Sequence, residues 1–223
     1  MALQKTFQFI IDLKFNNNRP WFNENKERYL AAKKEFDTYI ETLIPLLKKQ
    51  DHSIDVNCAK ECVYRIYRDV RFSKNKEPYK NSFGAYISKG GRKSPYAGYY
   101  IHFEPDNSFV GGGIYQPSPT VLKSIRNQIF EHTDAYKKIL TKKELKNEYS
   151  VLEGAKSKMA PKGFPKDFKD IDLLKNKHFT VRKKIDNELW LKENSVELIL
   201  KSFETQQDFN HFLNRAVEAE IVS

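Results

Sequence analysis

The first fifty residues place apolar side chains every three or four positions, which is the period of an amphipathic helix. Residues 3–14 predict a short helix, and the Asn-rich turn that ends in Pro20 should stop it. A longer helix should follow, and Pro45 should kink or end it. The two apolar stripes are Leu3, Phe7, Ile10 and Ile11, then Tyr29, Ala32, Phe36, Tyr39, Ile40, Leu43 and Leu47. Residues 1–50 therefore predict a helical hairpin.

The period changes to two between residues 58 and 115. Short runs of β-branched and aromatic residues are separated there by turn residues, which is typical of strands. The segment Pro105–Asn107 has the composition of a hairpin turn between the last two runs. The runs are Val63–Tyr67, Ala85–Ile87, Tyr99–Phe103 and Ser108–Val110. We expect them to form an antiparallel sheet.

Helical patterns return after residue 117. Ser118 can cap a helix whose first position is Pro119, and Leu122, Ile125, Ile129 and Phe130 would form its buried stripe. Within 117–150 a second helical pattern runs from about residue 134, a strand is predicted at 178–185, and C-terminal helices are predicted at 195–220. Helices packed on an antiparallel sheet make an α+β fold. We expect one domain over residues 1–223.

Composition narrows the class of protein. The 223 residues are 39% hydrophobic and 13% aromatic, which is too rich for a disordered chain. We expect no membrane partner, because no run of about 18 apolar residues occurs. The first residues lack a cleavage site, so we expect no signal peptide. Cys58 and Cys62 are too few for a disulfide framework, and a reducing cytoplasm is the expected location.

The net charge of +10 is unevenly distributed. Residues 61–100 hold 9 basic and 3 acidic side chains, and residues 151–184 hold 10 and 4. The tail from Ile185 onward is acidic, with 3 basic and 8 acidic side chains. The basic residues of 151–184 are nearly all lysines, which favours a role in solubility. Those of 61–100 include arginines inside an apolar pattern, which favours a positively charged site.

The arginines of 65–71 are the strongest candidates for binding. If residues 62–72 form a strand, Arg65, Tyr67, Asp69 and Arg71 share one face. A helical reading would instead group Arg65, Arg68 and Phe72. Guanidinium groups grip phosphate or carboxylate through paired hydrogen bonds. We therefore expect an anion site with this composition: Arg65, Arg68 and Arg71 as ligands, Asp69 orienting them, and Lys76, Tyr79 and Lys80 closing the rim.

The alternative is an internal salt-bridge network that joins these arginines to acidic residues such as Glu61 or those of the tail. Under either hypothesis, Asp69 lies between cations. Its pKa should therefore fall below the ordinary value of ~3.9.

A second wall of this site is predicted from two weaker patterns. Gly111, Gly112 and Gly113 allow close backbone approach near a helix start, although a β-bulge or tight strand crossing explains them equally well. His102 and Glu104 would share one face of a strand, where they could pair as acid and base or simply hydrogen-bond. The sequence offers no third metal ligand beside them, so we expect no metal site and no cofactor.

Two further pairs have structural interpretations that we favour. Cys58 and Cys62 have no Cys or His cluster nearby and are expected to be packing residues. Trp21 and Phe22 could stack a nucleotide base, but closing the first helical hairpin is the favoured role.

The segment from Arg65 to Tyr79 resembles a widespread bacterial family, domain of unknown function 2461. The family motif is Arg-x-x-Arg-Asp-x-Arg-Phe followed by Asp/Asn-Lys-x-x-Tyr, and here the second part begins at Asn75, where members often carry Asp. Supporting matches are Asn16–Phe22, Gly111–Pro117 and Pro161–Phe164, so the resemblance covers most of the chain. It implies a bacterial intracellular protein of one domain with no assigned activity, and it assigns no catalytic residue.

Two function classes follow from these patterns. The leading hypothesis is an α+β domain whose arginine-rich pocket binds a small anionic ligand bearing phosphate or carboxylate. The sequence does not indicate whether a bond is broken. The alternative is a non-catalytic module that binds nucleic acid or a protein partner; a pI near 9.3 fits it, although no known nucleic-acid motif occurs.

Overall fold

A computed structural model describes residues 1–151 and 154–222 of the chain. It contains ten described helices and five strands. The helices are α1 (Gln4–Phe15), α2 (Arg19–Glu24), α3 (Lys26–Gln50), α4 (Ala59–Cys62), α5 (Pro119–Glu131), α6 (Thr133–Leu140), α7 (Lys143–Glu148), α8 (Ile171–Leu174), α9 (Asn187–Trp190) and α10 (Ser195–Val222). The strands are β1 (Phe83–Ile87), β2 (Gly98–Phe103), β3 (Phe109–Ile114), β4 (Ser150–Val151) and β5 (Phe179–Lys184).

The five strands form one antiparallel sheet in the order β1-β2-β3-β5-β4, flanked by N- and C-terminal helices. The predicted α+β class is thereby confirmed. In the β4–β5 pair, Ser150 lies opposite Arg182 and Val151 opposite Val181. The turn between β2 and β3 contains Asp106 with a φ of 69°, a left-handed conformation that Asp tolerates in tight turns.

The N-terminal segment is helical, with two differences from the predicted pattern. The Asn-rich turn contains an additional short helix, α2, whose start is capped when the Asn18 side chain accepts a hydrogen bond from the Trp21 backbone at 3.0 Å. Pro20 occupies the first turn of α2, where its missing N–H has no intrahelical partner to lose. Pro45 does not end α3, which continues to Gln50 because buried residues on both sides of Pro45 anchor it.

The run Val63–Tyr67, predicted as a strand, does not form one, and neither does the longer segment 62–72 considered with it. Val63 makes an isolated bridge to Ala85, and Tyr67 makes another to Tyr79. Val63 and Ile66 are the buried apolar residues of 63–72. The segment therefore offers no continuous apolar face that could pack against a sheet. It folds back on residues 78–80 as an irregular ribbon.

The chain folds into two compact units. The first comprises residues 1–92, 100–110 and 184–202, and the second comprises residues 93–99, 111–183 and 203 onward. The expectation of a single domain stays a prediction. The first unit buries a largely aromatic core that includes Phe9, Phe36, Phe103 and Trp190.

The core of the second unit is formed by α5, α6, β5 and the second half of α10. Helix α5 begins as predicted, with Ser118 accepting a hydrogen bond from Val121 and Pro119 in the first turn. Ile125 and Ile129 are fully buried, whereas Phe130 is partly exposed and packs on the rings of Phe164 and Phe168. Among the described residues, no helix is long and apolar enough to cross a membrane.

Candidate functional site: a cationic cluster on an irregular ribbon

The ribbon that carries the predicted site is closed by backbone hydrogen bonds. Arg68 N–H donates to the Pro78 carbonyl at 2.9 Å, and Lys80 N–H donates to the Ile66 carbonyl at 2.8 Å. Tyr64 N–H donates to the Gly84 carbonyl at 2.9 Å, which ties the start of the ribbon to β1. These bonds fix the backbone at both sides of the loop formed by residues 69–77.

Asp69 and Arg71 form an exposed ion pair on that loop. The Arg71 guanidinium donates through Nε to Oδ1 at 3.0 Å and through Nη2 to Oδ2 at 2.7 Å. These bonds, together with one from the Arg71 backbone, lower the pKa of Asp69 to about 2; Arg65 contributes less. The predicted lowering of the Asp69 pKa is confirmed. Its main cause is Arg71, whereas the sequence predicts cations on both sides. Arg71 is thus largely neutralised by its neighbour.

Arg68 lies half-buried at the base of the loop with an incomplete set of partners. Its Nη2 is 3.7 Å from Oε2 of Glu77, a separation longer than a hydrogen bond. Its Nε is buried and finds no acceptor among the residues that the structure describes. The Glu77 carboxylate is shared with Asn75, whose side-chain amide donates to it at 3.1 Å. The Asn75 side chain therefore makes its hydrogen bonds within the loop.

Lys80 completes a group of three cations. Its pKa is lowered, first by burial and then by repulsion from Arg65 and Arg68. Both effects penalise the charged ammonium. The backbone bond from Lys80 N–H to the Ile66 carbonyl, at 2.8 Å, sets Lys80 beside the segment that carries both arginines. We refer to Arg65, Arg68 and Lys80 as the cationic cluster.

Two predicted rim residues have other positions. The Lys76 ammonium donates to the Val70 carbonyl at 3.0 Å and braces the loop. Tyr79 is buried rather than at a rim, and its ring stacks on Phe22 with centroids 3.9 Å apart. The sequence predicts that the Tyr79 hydroxyl faces the ligand. In the structure the Tyr79 backbone pairs with Tyr67, and the ring packs among aromatic side chains.

Sequence reasoning missed the contribution of the N-terminal helices to this site. The Asn17 side chain brackets Tyr79, donating to its carbonyl at 3.0 Å and accepting from its N–H at 3.2 Å. Lys26 lies 5.2 Å from the centroid of Phe22 and donates to the Tyr67 hydroxyl at 3.2 Å. Phe22 is buried, which supports the favoured structural role of this residue. The Asn-Asn-Asn-Arg-Pro-Trp-Phe run was the available signal, but its partners are about 60 residues away.

His102 and Glu104 form a hydrogen-bonded pair on the sheet. His102 Nε2 is 3.0 Å from Glu104 Oε2, and His102 Nδ1 is 3.2 Å from the Tyr100 hydroxyl. The Asn107 amide also donates to Glu104, at 2.9 Å. Burial raises the pKa of Tyr100 to about 12, so its hydroxyl stays protonated and can donate to His102. No cluster of three or more metal-ligating side chains occurs among the described residues.

The three glycines have a packing role in the second unit. A Cβ on Gly112 would lie 2.6 Å from the Gly98 carbonyl and 2.7 Å from Nε2 of Gln206. Gly113 has a φ of +92°, and its N–H donates to Oδ1 of Asn210 at 2.8 Å. A Cβ on Gly111 or Gly113 would meet backbone carbonyls of β5, at Val181 and Phe179 respectively. Close approach of β5 at these two positions, and of Gly98 and α10 at Gly112, therefore accounts for the motif. A further role as a wall of the anion site stays a prediction.

Helix α10 contacts the sheet through a row of polar side chains one turn apart. Gln206 donates to the Gly111 carbonyl at 2.9 Å, and Asn210 donates to the Gly98 carbonyl at 3.0 Å. Asn214 accepts from the Ala97 N–H at 2.7 Å and donates to the Ala97 carbonyl at 3.2 Å. These buried amides satisfy strand backbone groups that would otherwise face a helix.

The cysteines occupy structural positions. Cys58 caps α4 in a capping box with Glu61, and Cys62 is buried. Both thiols are free, and burial raises the pKa of Cys62 to about 12. The expectation that they are packing residues is confirmed for Cys62.

Comparison with known proteins identifies one family. The model of a family described as a conserved hypothetical protein (DUF2461) matches residues 5–212. No curated protein and no solved structure matches the chain.

Proposed function

Since the chain belongs to the DUF2461 family of conserved hypothetical proteins, a description that names no activity, we propose its function from the site itself. The protein binds a small anion, bearing phosphate or carboxylate, at the cationic cluster. Arg65, Arg68 and Lys80 are the ligands, and Asp69, Arg71 and Lys76 shape the adjoining loop.

The observation that carries this proposal is that Arg68 lacks a hydrogen-bonded carboxylate among the described residues. A buried guanidinium nitrogen without an acceptor costs free energy, because its hydration is lost and not replaced. The carboxylate of Glu77 lies 3.7 Å from Nη2 of Arg68, which is beyond hydrogen-bond distance. An anion between Arg68 and Lys80 adds negative charge beside a guanidinium that lacks a close carboxylate. It also offsets the repulsion that, after burial, lowers the pKa of Lys80.

The internal salt-bridge alternative predicts arginines that are fully paired with carboxylates. Arg71 meets that description through Asp69, with two hydrogen bonds at 3.0 and 2.7 Å. Glu61, suggested as a partner from the sequence, instead accepts hydrogen bonds from the Asn57 and Cys58 backbone. Asp69 and Glu61 are therefore engaged by other groups, and Glu77 is the one carboxylate of the described chain set against three cations, which favours an external anion for the cationic cluster.

The test is thermal unfolding with inorganic phosphate and with citrate, each matched to sodium chloride of equal ionic strength. A ligand that binds only the folded protein stabilises it by RT ln(1 + [L]/Kd). We expect at least one of the two anions to raise the Tm of the wild type, Arg68→Gln to lose most of that rise, and Arg215→Gln to keep it. Arg215 is an exposed arginine of α10 and lies over the Phe212 ring.

Equal rises in the wild type and Arg68→Gln would refute the site. The absence of any rise above the chloride control, for both anions, would refute anion binding. Lys80→Gln provides a second variant should Arg68→Gln not fold.

A further inference from the structure

An exposed aromatic ring lies directly beside the cationic cluster. Tyr64 is 36% exposed, and the ammonium of Lys80 lies 5.6 Å from the centroid of its ring. The neighbouring Tyr67 is 43% exposed. Exposed aromatic side chains beside cations are typical of sites that bind a planar ring and a phosphate together.

The Tyr64 ring is held in place rather than free to turn. It packs edge-on against Tyr100, with centroids 6.4 Å apart and planes at 71°. Its backbone N–H is bonded to the Gly84 carbonyl of β1 at 2.9 Å. A ring fixed by packing loses little conformational entropy when a ligand stacks on it.

The charge state of Tyr64 also suits an anionic ligand. Burial of part of the ring raises the pKa of its hydroxyl, and nearby Arg92 opposes that shift only in part. The phenol is therefore neutral at physiological pH and does not repel a phosphate bound by Lys80 and Arg68.

We propose that the anion recognised by the cationic cluster belongs to a nucleotide, with its phosphate on Arg68 and Lys80 and its base stacked on Tyr64. This inference rests on the proposed anion site and names the class of its ligand. The short span between the Lys80 ammonium and the Tyr64 ring allows one nucleotide to contact both groups. Base stacking adds affinity that a sugar phosphate lacks, whichever base is present.

The test compares the affinities of adenosine 5′-monophosphate and ribose 5-phosphate by calorimetry at fixed salt. We expect the nucleotide to bind the wild type at least about fivefold more tightly, which is the lower end of the effect of stacking one base. Tyr64→Leu should reduce that difference to less than about twofold while leaving the affinity for ribose 5-phosphate unchanged. Tyr64→Phe should retain it, because the ring and not the hydroxyl carries the contact.

Tyr115→Leu is the matched control, since Tyr115 is an exposed tyrosine that stacks on His178 far along the chain. It should leave both affinities as in the wild type. Lys80→Gln should weaken both ligands by the same factor, because it removes a phosphate contact common to the two.

The outcomes separate this inference from the proposed function. If both compounds bind equally well, or if Tyr64→Leu preserves the preference for the nucleotide, base stacking on Tyr64 is refuted and the anion site stands. If neither compound binds, and phosphate and citrate also fail to stabilise the wild type, the anion site itself is refuted.

Discussion

Replacing Asn210 by leucine tests how α10 is joined to the sheet. The Asn210 amide is buried and makes two hydrogen bonds, accepting from Gly113 N–H at 2.8 Å and donating to the Gly98 carbonyl at 3.0 Å. Leucine has the same branched shape but a larger volume, so the substitution removes the hydrogen bonds, leaves no cavity and adds some overpacking.

The expected cost follows from those two bonds. A buried backbone group that loses its partner costs about 1–3 kcal/mol, and burial of the leucine side chain returns part of this. We therefore expect the free energy of unfolding to fall by about 2–4 kcal/mol. Urea denaturation followed by circular dichroism measures the change through the shift in midpoint.

Glu204→Leu is the control, because Glu204 is an exposed residue of the same helix. Its effect should stay within about 0.5 kcal/mol. A variant Asn210→Leu as stable as the wild type would show that the row of amides does not hold α10 to the sheet.

Three further predictions concern glycine packing, an ion pair and the thiols. Gly112→Ala should destabilise the protein in urea by at least about 2 kcal/mol, because the new Cβ would lie 2.6 Å from a backbone carbonyl. Gly84→Ala has a nearest contact of 3.1 Å, to the Tyr100 hydroxyl, and should cost less than about 1 kcal/mol, so equal costs would contradict this reasoning. Asp69 has a folded-state pKa of about 2 against an ordinary 3.8, so its stabilising effect is complete above pH 4 and lost as the pH falls towards 2. The Tm difference between the wild type and Asp69→Asn should therefore shrink over that range, and a constant difference would contradict the assignment. Iodoacetamide at pH 8 should alkylate Cys58 but not Cys62 in the folded protein, as read by mass spectrometry; labelling of Cys62 before unfolding would show that it is not buried.

The helices with long apolar stripes were the most predictable part of the fold. α1, α3, α5 and α10 each repeat buried residues at helical spacing over three turns or more, so local sequence determines them. The sequence predicts a turn where the structure has α2, because asparagine and proline are common both in turns and at the start of helices. The hydrogen bond that the Asn18 side chain accepts distinguishes the helix start from a turn.

The strand predicted at Val63–Tyr67 was wrong, because a composition that favours extended backbone does not ensure hydrogen-bonded pairing with a neighbouring strand. Val63, Tyr64, Ile66 and Tyr67 favour extended backbone, and the chain is extended enough to form isolated bridges there. A strand also needs a neighbouring strand along its length. Among the described residues, this segment pairs only at Val63, with Ala85, and at Tyr67, with Tyr79. β-propensity reports on packing context that the local sequence does not contain.

The candidate site was predictable in its charge but not in its partners. Clustered arginines in an apolar pattern made Arg65 and Arg68 candidates. The Asp-x-Arg spacing of residues 69–71 anticipated the lowered pKa of Asp69. The neutralisation of Arg71 within the loop and the burial of Tyr79 depend on folding of the ribbon. The role of the glycines depends on Gln206 and Asn210, which lie almost a hundred residues away.

The pKa of Lys80 tests the cationic cluster most directly. Nuclear magnetic resonance of the labelled lysine side chain measures it with and without inorganic phosphate, and Lys80→Gln assigns the signal. The account predicts a pKa below 10.5 in the absence of phosphate, because burial and repulsion from Arg65 and Arg68 disfavour the ammonium. Bound phosphate should raise it, since a neighbouring anion favours the charged form. A pKa near 10.5 that does not respond to phosphate would contradict both the cluster and the anion site.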